Sequence, residues 1–309
     1  VPTENSIPAE KQKFGFIAII GEPNAGKSTL MNALVGAKVS IVSSKVQTTR
    51  TKVLGIVASD NTQIAFIDTP GIFSPNKKNK MERAIVAAAW ETLQEADAVL
   101  FLVDASKKIG EATNIIFDYL KQNDLKNCYL VLNKIDKVRR EDLLVLSMKL
   151  NEICAFEGTF MISAEKNDGV NTMLQTLAKA MPVGPWHYPE DHMSDMPLRL
   201  MAAEVTREKL FHLLHQELPY NLTVETEEWE EFDNGSVKID QTIFVSRETH
   251  KKIILGKSGS MIKKIGERAR MELEDIMDQR VHLKLFVKVD EDWIQKNEHY
   301  DIWGLDPNA

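Results

Sequence analysis

Eight residues, Gly21 to Ser28, read G-x-x-x-x-G-K-S, between the apolar run FGFIAII (14–20) and the helical pattern LMNALVG. That spacing suits a grip on phosphate. Glycines let a loop turn and present several backbone N–H groups, and the helix that follows adds the positive end of its dipole. In such a loop the lysine, here Lys27, reaches the β- and γ-phosphates, and the hydroxyl of Ser28 ligates Mg²⁺. A glycine-rich turn with no ligand would not require Lys-Ser after its second glycine. The expected phosphate-binding residues are Gly21, Glu22, Pro23, Asn24, Ala25, Gly26, Lys27, Ser28 and Thr29.

Two further motifs end apolar runs. Asp68-Thr69-Pro70-Gly71 closes QIAFID. An aspartate there holds Mg²⁺ through water, and Gly71 leaves room for its N–H beside the γ-phosphate. Asn133-Lys134-Ile135-Asp136 closes CYLVLN. A carboxylate at Asp136 accepts two hydrogen bonds from guanine, at N1–H and the 2-amino group, whereas adenine offers neither. Polar sites of this kind discriminate by roughly 10⁴ or more. Lys134 is expected to lie along the base, and Asn133 to tie this loop to the phosphate loop. Ser163-Ala164-Glu165 ends the next run, and the Ala164 N–H is expected to meet guanine O6.

The elements that position these motifs are legible as alternation. Strand candidates lie at 14–20, 63–68, 98–104, 128–134 and 160–163, with amphipathic stretches near 28–36, 79–96, 111–123, 140–155 and 169–181. Most of the strand candidates are nearly continuous apolar runs, as in strands buried on both faces. The pattern predicts βαβ units: an α/β domain with a mostly parallel sheet and helices on both faces. A segment with four prolines follows, MPVGPWHYPEDHMSDMP (181–197), and reads as a linker. Beyond it the order becomes α-β-β-α-α-β, with a hairpin turning at Asn234-Gly235, which is an α+β module. The expected boundaries are a disordered tail at 1–13, the first domain at 14–182, the linker at 183–197, the second domain at 198–295 and a C-terminal tail at 296–309.

Composition narrows the class. A length of 309 residues suits two domains, and a net charge of −7 argues against a uniformly basic nucleic-acid binder. Two cysteines, Cys128 and Cys154, predict no disulfide framework and fit a reducing cytosol, and no His/Cys spacing suggests zinc. No apolar run approaches the ~20 residues of a membrane span. The opening residues lack the apolar core of a signal peptide, although the chain begins with Val, which leaves room for residues upstream. The expected location is cytoplasmic, and a monomer is expected.

Charge is nevertheless concentrated. Between Arg247 and Arg270 stand eight Lys or Arg against two Glu, a net +6 in 24 residues. Such a run suits a phosphate backbone, although a solvated helix face is the usual reason for one. At its centre is Gly256-Lys257-Ser258-Gly259, joining two helical stretches. The candidate RNA-binding residues are Ile253, Gly256, Lys257, Ser258, Gly259, Lys263 and Lys264. Ile262, Ile265, Ala269, Leu273 and Ile276 recur at helical spacing and are expected in the core; for Ile253 and Ile254 core is the first expectation and a base groove the second.

Residues 14 to about 181 resemble the translation-factor-type P-loop GTPases, which implies guanine as the base and GTP hydrolysis as the reaction. The α-β-β-α-α-β module with its G-x-x-G loop resembles a type II KH domain, whose loop clamps single-stranded nucleotides. The two together, with QTTR, DTPG, NKID and GKSGSMIKKIG, resemble the Era family. By that resemblance Gln47, Thr48, Thr49 and Arg50 belong to switch I, with Thr49 ahead of Thr48 as the Mg²⁺ ligand beside Ser28 and water-bridged Asp68. Asp68, Thr69, Pro70 and Gly71 open switch II. Asn24 matches a position associated with K⁺, and a plain turn residue is the equal alternative. Ile72 stands where many GTPases carry a water-orienting glutamine, which implies slow intrinsic hydrolysis. The resemblance further implies a switch between GTP and GDP that binds the single-stranded 3′ end of small-subunit rRNA and assists assembly of the small ribosomal subunit. Two alternatives stay open: a signalling GTPase whose basic patch meets anionic lipid peripherally on the inner membrane, and a passive RNA-binding protein with structural nucleotide.

Overall fold

The computed structural model describes residues 12–43, 45, 48–49, 52–75, 80–123, 125, 127–214, 218–296, 300 and 305–306. The chain divides into two compact units. The first comprises Val1–Ser40, Thr49–Asp195 and Gly304–Ala309, and the second Ile41–Thr48 and Met196–Trp303.

In the first unit the order is β1 (Lys13–Gly21), α1 (Lys27–Val35), β2 (Val53–Ser59), β3 (Thr62–Asp68), α2 (Lys80–Glu95), β4 (Ala98–Asp104), α3 (Glu111–Asn123), β5 (Cys128–Asn133), α4 (Arg140–Ile153), β6 (Gly158–Met161) and α5 (Val170–Ala180). The sheet runs β2-β3-β1-β4-β5-β6. Every pairing is parallel except β2 with β3. Alternate residues of β1 feed opposite cores. Ile17 and Ile19 pack with α1 and α5 through Leu30, Met31, Met173 and Leu177. Ala18 and Ile20 pack with α2, α3 and α4 through Leu93, Ile116, Phe117 and Leu143. Both faces are therefore covered, which is why the strands read as unbroken apolar runs.

Strand β1 lies between β3 and β4: the connection after β1 leads to one side of it, and the connection after β3 crosses to the other. Ligands of open α/β sheets bind at such a switch point, off the carboxyl ends of the strands. Gly21, Asp68, Asp104 and Asn133 all stand at those ends, with Ile19 opposite Asp68 and Asp104 opposite Asn133.

Strand β2 was not among the sequence candidates. It is an edge strand, turned back onto β3 through Asp60, which takes a left-handed conformation at φ 51°. Its run VLGIVAS is broken by Gly55 and follows a polar stretch, so neither a period of two nor an unbroken apolar block marks it. The last strand starts earlier than expected, at Gly158, and ends at Met161. The proline-rich segment after α5 is tied down. Buried Gln63 donates to Tyr188 O at 2.9 Å and accepts from His187 and Tyr188 N–H at 3.1 and 3.0 Å. The Ile56 N–H donates to Met193 O at 2.9 Å, and Phe14 stacks on His187 at 3.9 Å.

The second unit contains α6 (Leu198–Leu213), β7 (Leu222–Glu231), β8 (Val237–Val245), α7 (Glu248–Leu255), α8 (Ser260–Met277) and β9 (Val281–Val289). Its sheet runs β7-β8-β9, antiparallel between β7 and β8 and parallel between β8 and β9. The hairpin turns at Asn234-Gly235, where Gly235 has φ 76° and Asn234 Oδ1 accepts from Ser236 N–H at 3.0 Å. One face of the sheet is closed by Leu210, Ile254 and Ile265, and further along by Val205 and Leu273.

Phe101 on β4 is fully buried and meets Phe117 edge-to-face at 5.1 Å. Phe101→Ala is expected to cost the first unit about 3–5 kcal/mol in urea unfolding, because the helices packed on that face of the sheet cannot collapse into the space. A cost below about 1 kcal/mol would show that this layer is not close-packed.

Candidate functional site

The loop between β1 and α1 turns through two left-handed residues, Asn24 at φ 65° and Gly26 at φ 101°. A Cβ at Gly26 would lie 2.4 Å from Asn133 Nδ2, so the loop rests directly on that side chain. Lys27 is buried, and its ammonium donates to Gly21 O and Glu22 O, both at 3.1 Å. Burial lowers its pKa from 10.5 to about 8, against the opposing pull of Asp68 and Glu22. The cation is held under the loop with too few partners, the state in which added phosphate oxygens gain most. Glu22 faces away to accept from Thr113 Oγ1 at 3.2 Å.

Ser28 Oγ lies 2.7 Å from Asp68 Oδ2 and 3.0 Å from Thr49 Oγ1. Ser40 Oγ also donates to Asp68 Oδ2, at 2.8 Å. Asp68 is fully buried, and its Oδ1 has no hydrogen-bond partner among the described residues. Burial raises its pKa, against Lys27 and the three hydroxyls. A carboxylate and two hydroxyls with one buried oxygen unpaired are hard donors of the kind a Mg²⁺ site uses, through water in the case of the carboxylate. Of the two threonines weighed for this place, Thr49 is here, whereas Thr48 Oγ1 donates to Lys45 O at 2.6 Å. Gln47 and Arg50 lie outside the described residues.

Beyond Asp68, Thr69 Oγ1 donates to Ile19 O at 2.7 Å and Pro70 is buried. Gly71 passes so close to Pro23 that a Cβ would lie 2.9 Å from its Cα. Ile72 donates its N–H to Gly21 O at 3.1 Å and buries its side chain in the core, so its side chain offers no polar group to a water.

Asn133 joins the motifs. Its Nδ2 donates to Ala25 O at 2.9 Å, and its Oδ1 accepts from the Ala164 N–H at 3.0 Å. The N–H of Ala164, expected to meet guanine O6, thus lies against the Asn133 carboxamide. Lys134 spans from Asn24 O (2.7 Å) to the Asp104 carboxylate (2.6 Å). Asp136 is exposed and accepts from Ser163 Oγ at 2.6 Å, a bond that holds its pKa below the usual carboxylate value. The Asp136 carboxylate is thus ionised and aimed by its neighbour.

Three contributors were missed by sequence reasoning. Asp104 ends a parallel strand as Asp68 and Asn133 do, and that position was a readable signal. Ser40 carried none. Asn32 accepts from the Val39 and Ser40 N–H groups, each at 2.9 Å, and donates to Ser40 O at 2.8 Å, an arrangement only the folded chain creates.

In the second unit, α7 ends at Gly256 (φ 71°), Ser258 is left-handed at φ 52°, and Gly259 (φ 77°) caps α8. A Cβ at Gly256 would strike Met261, 2.8 Å from its N, whereas Gly259 faces open space. The first glycine is needed for packing, and the second leaves a backbone surface that a ligand can approach. Lys263 and Lys264 are exposed, as is Ile253 at 52%. Ile254, Ile265, Ala269 and Leu273 are core as expected. Ile253 is not, and Ile262 and Ile276 are only partly buried. Ile262 stands on the flank of the helix stripe and becomes a wall of a groove of about 620 Å³. Lys263, Gly266, Glu267 and Arg270 of α8 and Leu283 and Leu285 of β9 complete it. A floor of leucines beside cationic rims is a surface for unstacked bases on a phosphate backbone.

Comparison with known proteins gives the following. Residues 16–134 match a family described as 50S ribosome-binding GTPase, and residues 217–294 match the KH domain. The GTPase Era of Mesorhizobium japonicum is 54% identical over 293 residues, 94% of this chain and 93% of that protein. The GTPase Era of Afipia carboxidovorans is 52% identical over 306 residues, covering 99% and 97%. A crystal structure of an Aquifex aeolicus Era variant bound to GDP and AlF₄⁻ superposes with a TM-score of 0.90 at 39% identity, covering 95% of this chain and 99% of that one. One of Era with MgGDPNP and nucleotides 1506–1542 of 16S ribosomal RNA gives 0.88 at 39% identity, with the same coverage.

Two outcomes test this geometry. Gly26→Ala forces an unfavourable φ, worth about 1–3 kcal/mol, and displaces Asn133, so nucleotide affinity should fall with the fold intact, as read by fluorescent-nucleotide titration. Lys27 should titrate near pH 8 in the free protein and higher beside phosphates. Its contribution to affinity is therefore full below pH 8 and is lost as pH rises towards the pKa of the complex. Calorimetry at pH 8.5 in buffers of different ionisation heat should show proton uptake on binding, and none would mean that Lys27 is already fully charged.

Proposed function

The chain belongs to the Era family of GTPases, and from that premise we propose that it is a GTP-gated RNA chaperone that holds the 3′ end of small-subunit rRNA during assembly of the small ribosomal subunit. The observation that carries this reading is the G-x-x-G loop beside a basic, leucine-floored groove, in a chain that matches, over nearly its whole length, a protein solved with 16S rRNA nucleotides. The 50S description attaches to residues 16–134 alone, which exclude that groove.

The hydrolytic half works through the first unit. Asp136 recognises guanine N1–H and the 2-amino group, and Ser163 aims it. Asn133 locks the base loop to the phosphate loop, and Lys134 lies along the base. The Ala164 N–H, beside Asn133, meets guanine O6. The backbone from Gly21 to Thr29 and the Lys27 ammonium hold the β- and γ-phosphates, and the Gly71 N–H meets the γ-phosphate. Ser28 and Thr49, with Asp68 through water, would hold a magnesium ion, which supplies positive charge between the β- and γ-phosphates. Water attacks the γ-phosphorus to give GDP and phosphate. Ile72 offers no polar group to orient that water, so the unassisted step is slow. The side chain of Asn24 is the place where K⁺ would add charge beside the phosphates. Equal hydrolysis rates in K⁺ and Na⁺ would remove that role and leave Asn24 as a turn residue.

The RNA-binding half works through Ile253, Gly256, Lys257, Ser258, Gly259, Lys263 and Lys264. Bound GTP orders switch I around Thr49 and switch II from Asp68, and that state binds RNA more tightly. Binding of an rRNA 3′-end oligonucleotide at fixed salt should be at least about fivefold tighter with a non-hydrolysable GTP analogue than with GDP. A scrambled RNA should bind weakly in both states. Equal affinity with either nucleotide rejects the gating, and equal affinity for the scrambled RNA rejects the target. Preference for anionic vesicles over RNA would establish the lipid alternative. Asp136→Asn replaces an acceptor with a donor facing guanine N1–H and should weaken GTP binding roughly 10–100-fold while sparing RNA binding, as read by separate titrations.

A further inference from the structure

Helix α6 is buried along most of its length, from Met201 to Phe211, and that stretch includes Glu204, Thr206, Arg207, Glu208 and Lys209. Apolar residues would close this core more cheaply, since a buried ion pair often stabilises no more than a hydrophobic isostere does. The charges therefore call for a reason other than stability. The partners supply one. Ile41–Thr48, the segment between Ser40 and Thr49, belongs to the second unit, although those two flanking residues belong to the first. Glu208 Oε1 accepts the Val42 N–H at 2.7 Å, and His212 Nε2 lies 3.0 Å from Val42 O. Arg207, clamped bidentately by Glu204, donates to Thr48 O, the last carbonyl before Thr49. Lys45 donates to the Phe211 and Leu214 carbonyls at the end of α6.

The network continues on the other side of the helix. The second oxygen of Glu208 takes an ion pair from Lys209 at 2.8 Å, and the same ammonium pairs with Glu272 of α8. Helix α8 is the element whose N-terminus is the G-x-x-G loop and whose flank walls the groove. One carboxylate, Glu208, thus bonds both the backbone of the segment that leads into switch I and the cation that pairs with α8.

We propose that Arg207 and Glu208 are positioning residues for switch I, fixing the strand of chain that delivers Thr49, and that the Glu208–Lys209–Glu272 array carries the state of that segment to α8 and its RNA surface. This deepens the gating reading above and rests on it. When nucleotide orders Thr49, Val42 and Thr48 hold Glu208 and Arg207 in their paired geometry, Lys209 stays between two carboxylates, and α8 keeps the position that opens the groove. When switch I is released, Glu208 is left buried with one partner fewer, and the array re-pairs.

The test uses the full chain and two titrations. The wild type should bind the rRNA 3′-end oligonucleotide at least about fivefold more tightly with the GTP analogue than with GDP. Glu272→Gln, close in shape, should bring that ratio to about twofold or less while leaving nucleotide affinity unchanged, because it severs the array away from switch I. The charge swap Lys209→Glu with Glu272→Lys places like charges beside Glu208 and should also abolish the ratio, so the test stands even if the first variant does not fold. Glu208→Ala should in addition speed amide hydrogen exchange at Val42 in the analogue-bound protein, a change that a merely space-filling glutamate would not produce. A wild-type ratio with no dependence on either variant overturns the array and leaves the gating standing. A wild-type ratio of one overturns the gating, and the array with it.

Discussion

One carboxamide sets the geometry of the nucleotide site. Asn133 donates to the phosphate loop at Ala25 and accepts from the base loop at Ala164, and Gly26 lies against it at a distance that excludes any side chain. Two segments more than a hundred residues apart are thereby held at one spacing. A buried amide with both ends bonded is rigid, because releasing either bond leaves a polar group unpaired in the interior. The parallel register that brings Asn133 level with Asp104 is what places it, and Lys134 then repeats the link from Asn24 to Asp104.

Around that frame the electrostatics are arranged for a ligand of opposite character at each point. Burial pushes the Lys27 pKa down and the Asp68 pKa up, so at both groups desolvation works against the charged form that a phosphate and a magnesium ion would favour. The site is built, yet its charges are under-compensated. Ile72 adds a second restraint. Its side chain belongs to the core and its N–H to Gly21, so the position serves folding and offers nothing to the attacking water.

The second unit treats charge in two ways. The run from Arg247 to Arg270 displays its lysines to solvent beside an apolar groove, where a phosphate backbone can meet them. The α6 charges are instead buried and paired, on the helix that gathers the switch I segment. A chain with net charge −7 thus holds one basic stretch at a surface and one interior array of paired charges.

The chemistry of the site was legible because phosphate and guanine recognition use contiguous residues. The loop G-x-x-x-x-G-K-S, the quartets DTPG and NKID and the G-x-x-G loop each carry their function within a few positions, and unbroken apolar runs announced a sheet covered on both faces. Edge strand β2 was not legible, since an edge with a glycine at its centre has no distinctive period. The preference for Thr49 over Thr48 came from the resemblance of QTTR alone, since the two residues differ only in which one the fold brings to Ser28. Ile253 and Ile262 have the same side chain as Ile254 and Ile265, and only the packing of α7 and α8 decided that the second pair is core, Ile253 exposed and Ile262 half-buried in a groove wall. The sequence by itself determined the ligand classes, because hydrogen-bonding types and glycine conformations are local. Tertiary structure alone decided the long-range partners, Ser40 and Asn32 near the metal corner, Asp104 behind Lys134, and Glu208 beneath switch I, because a side chain's neighbours across a fold depend on register and helix placement that no local spacing encodes.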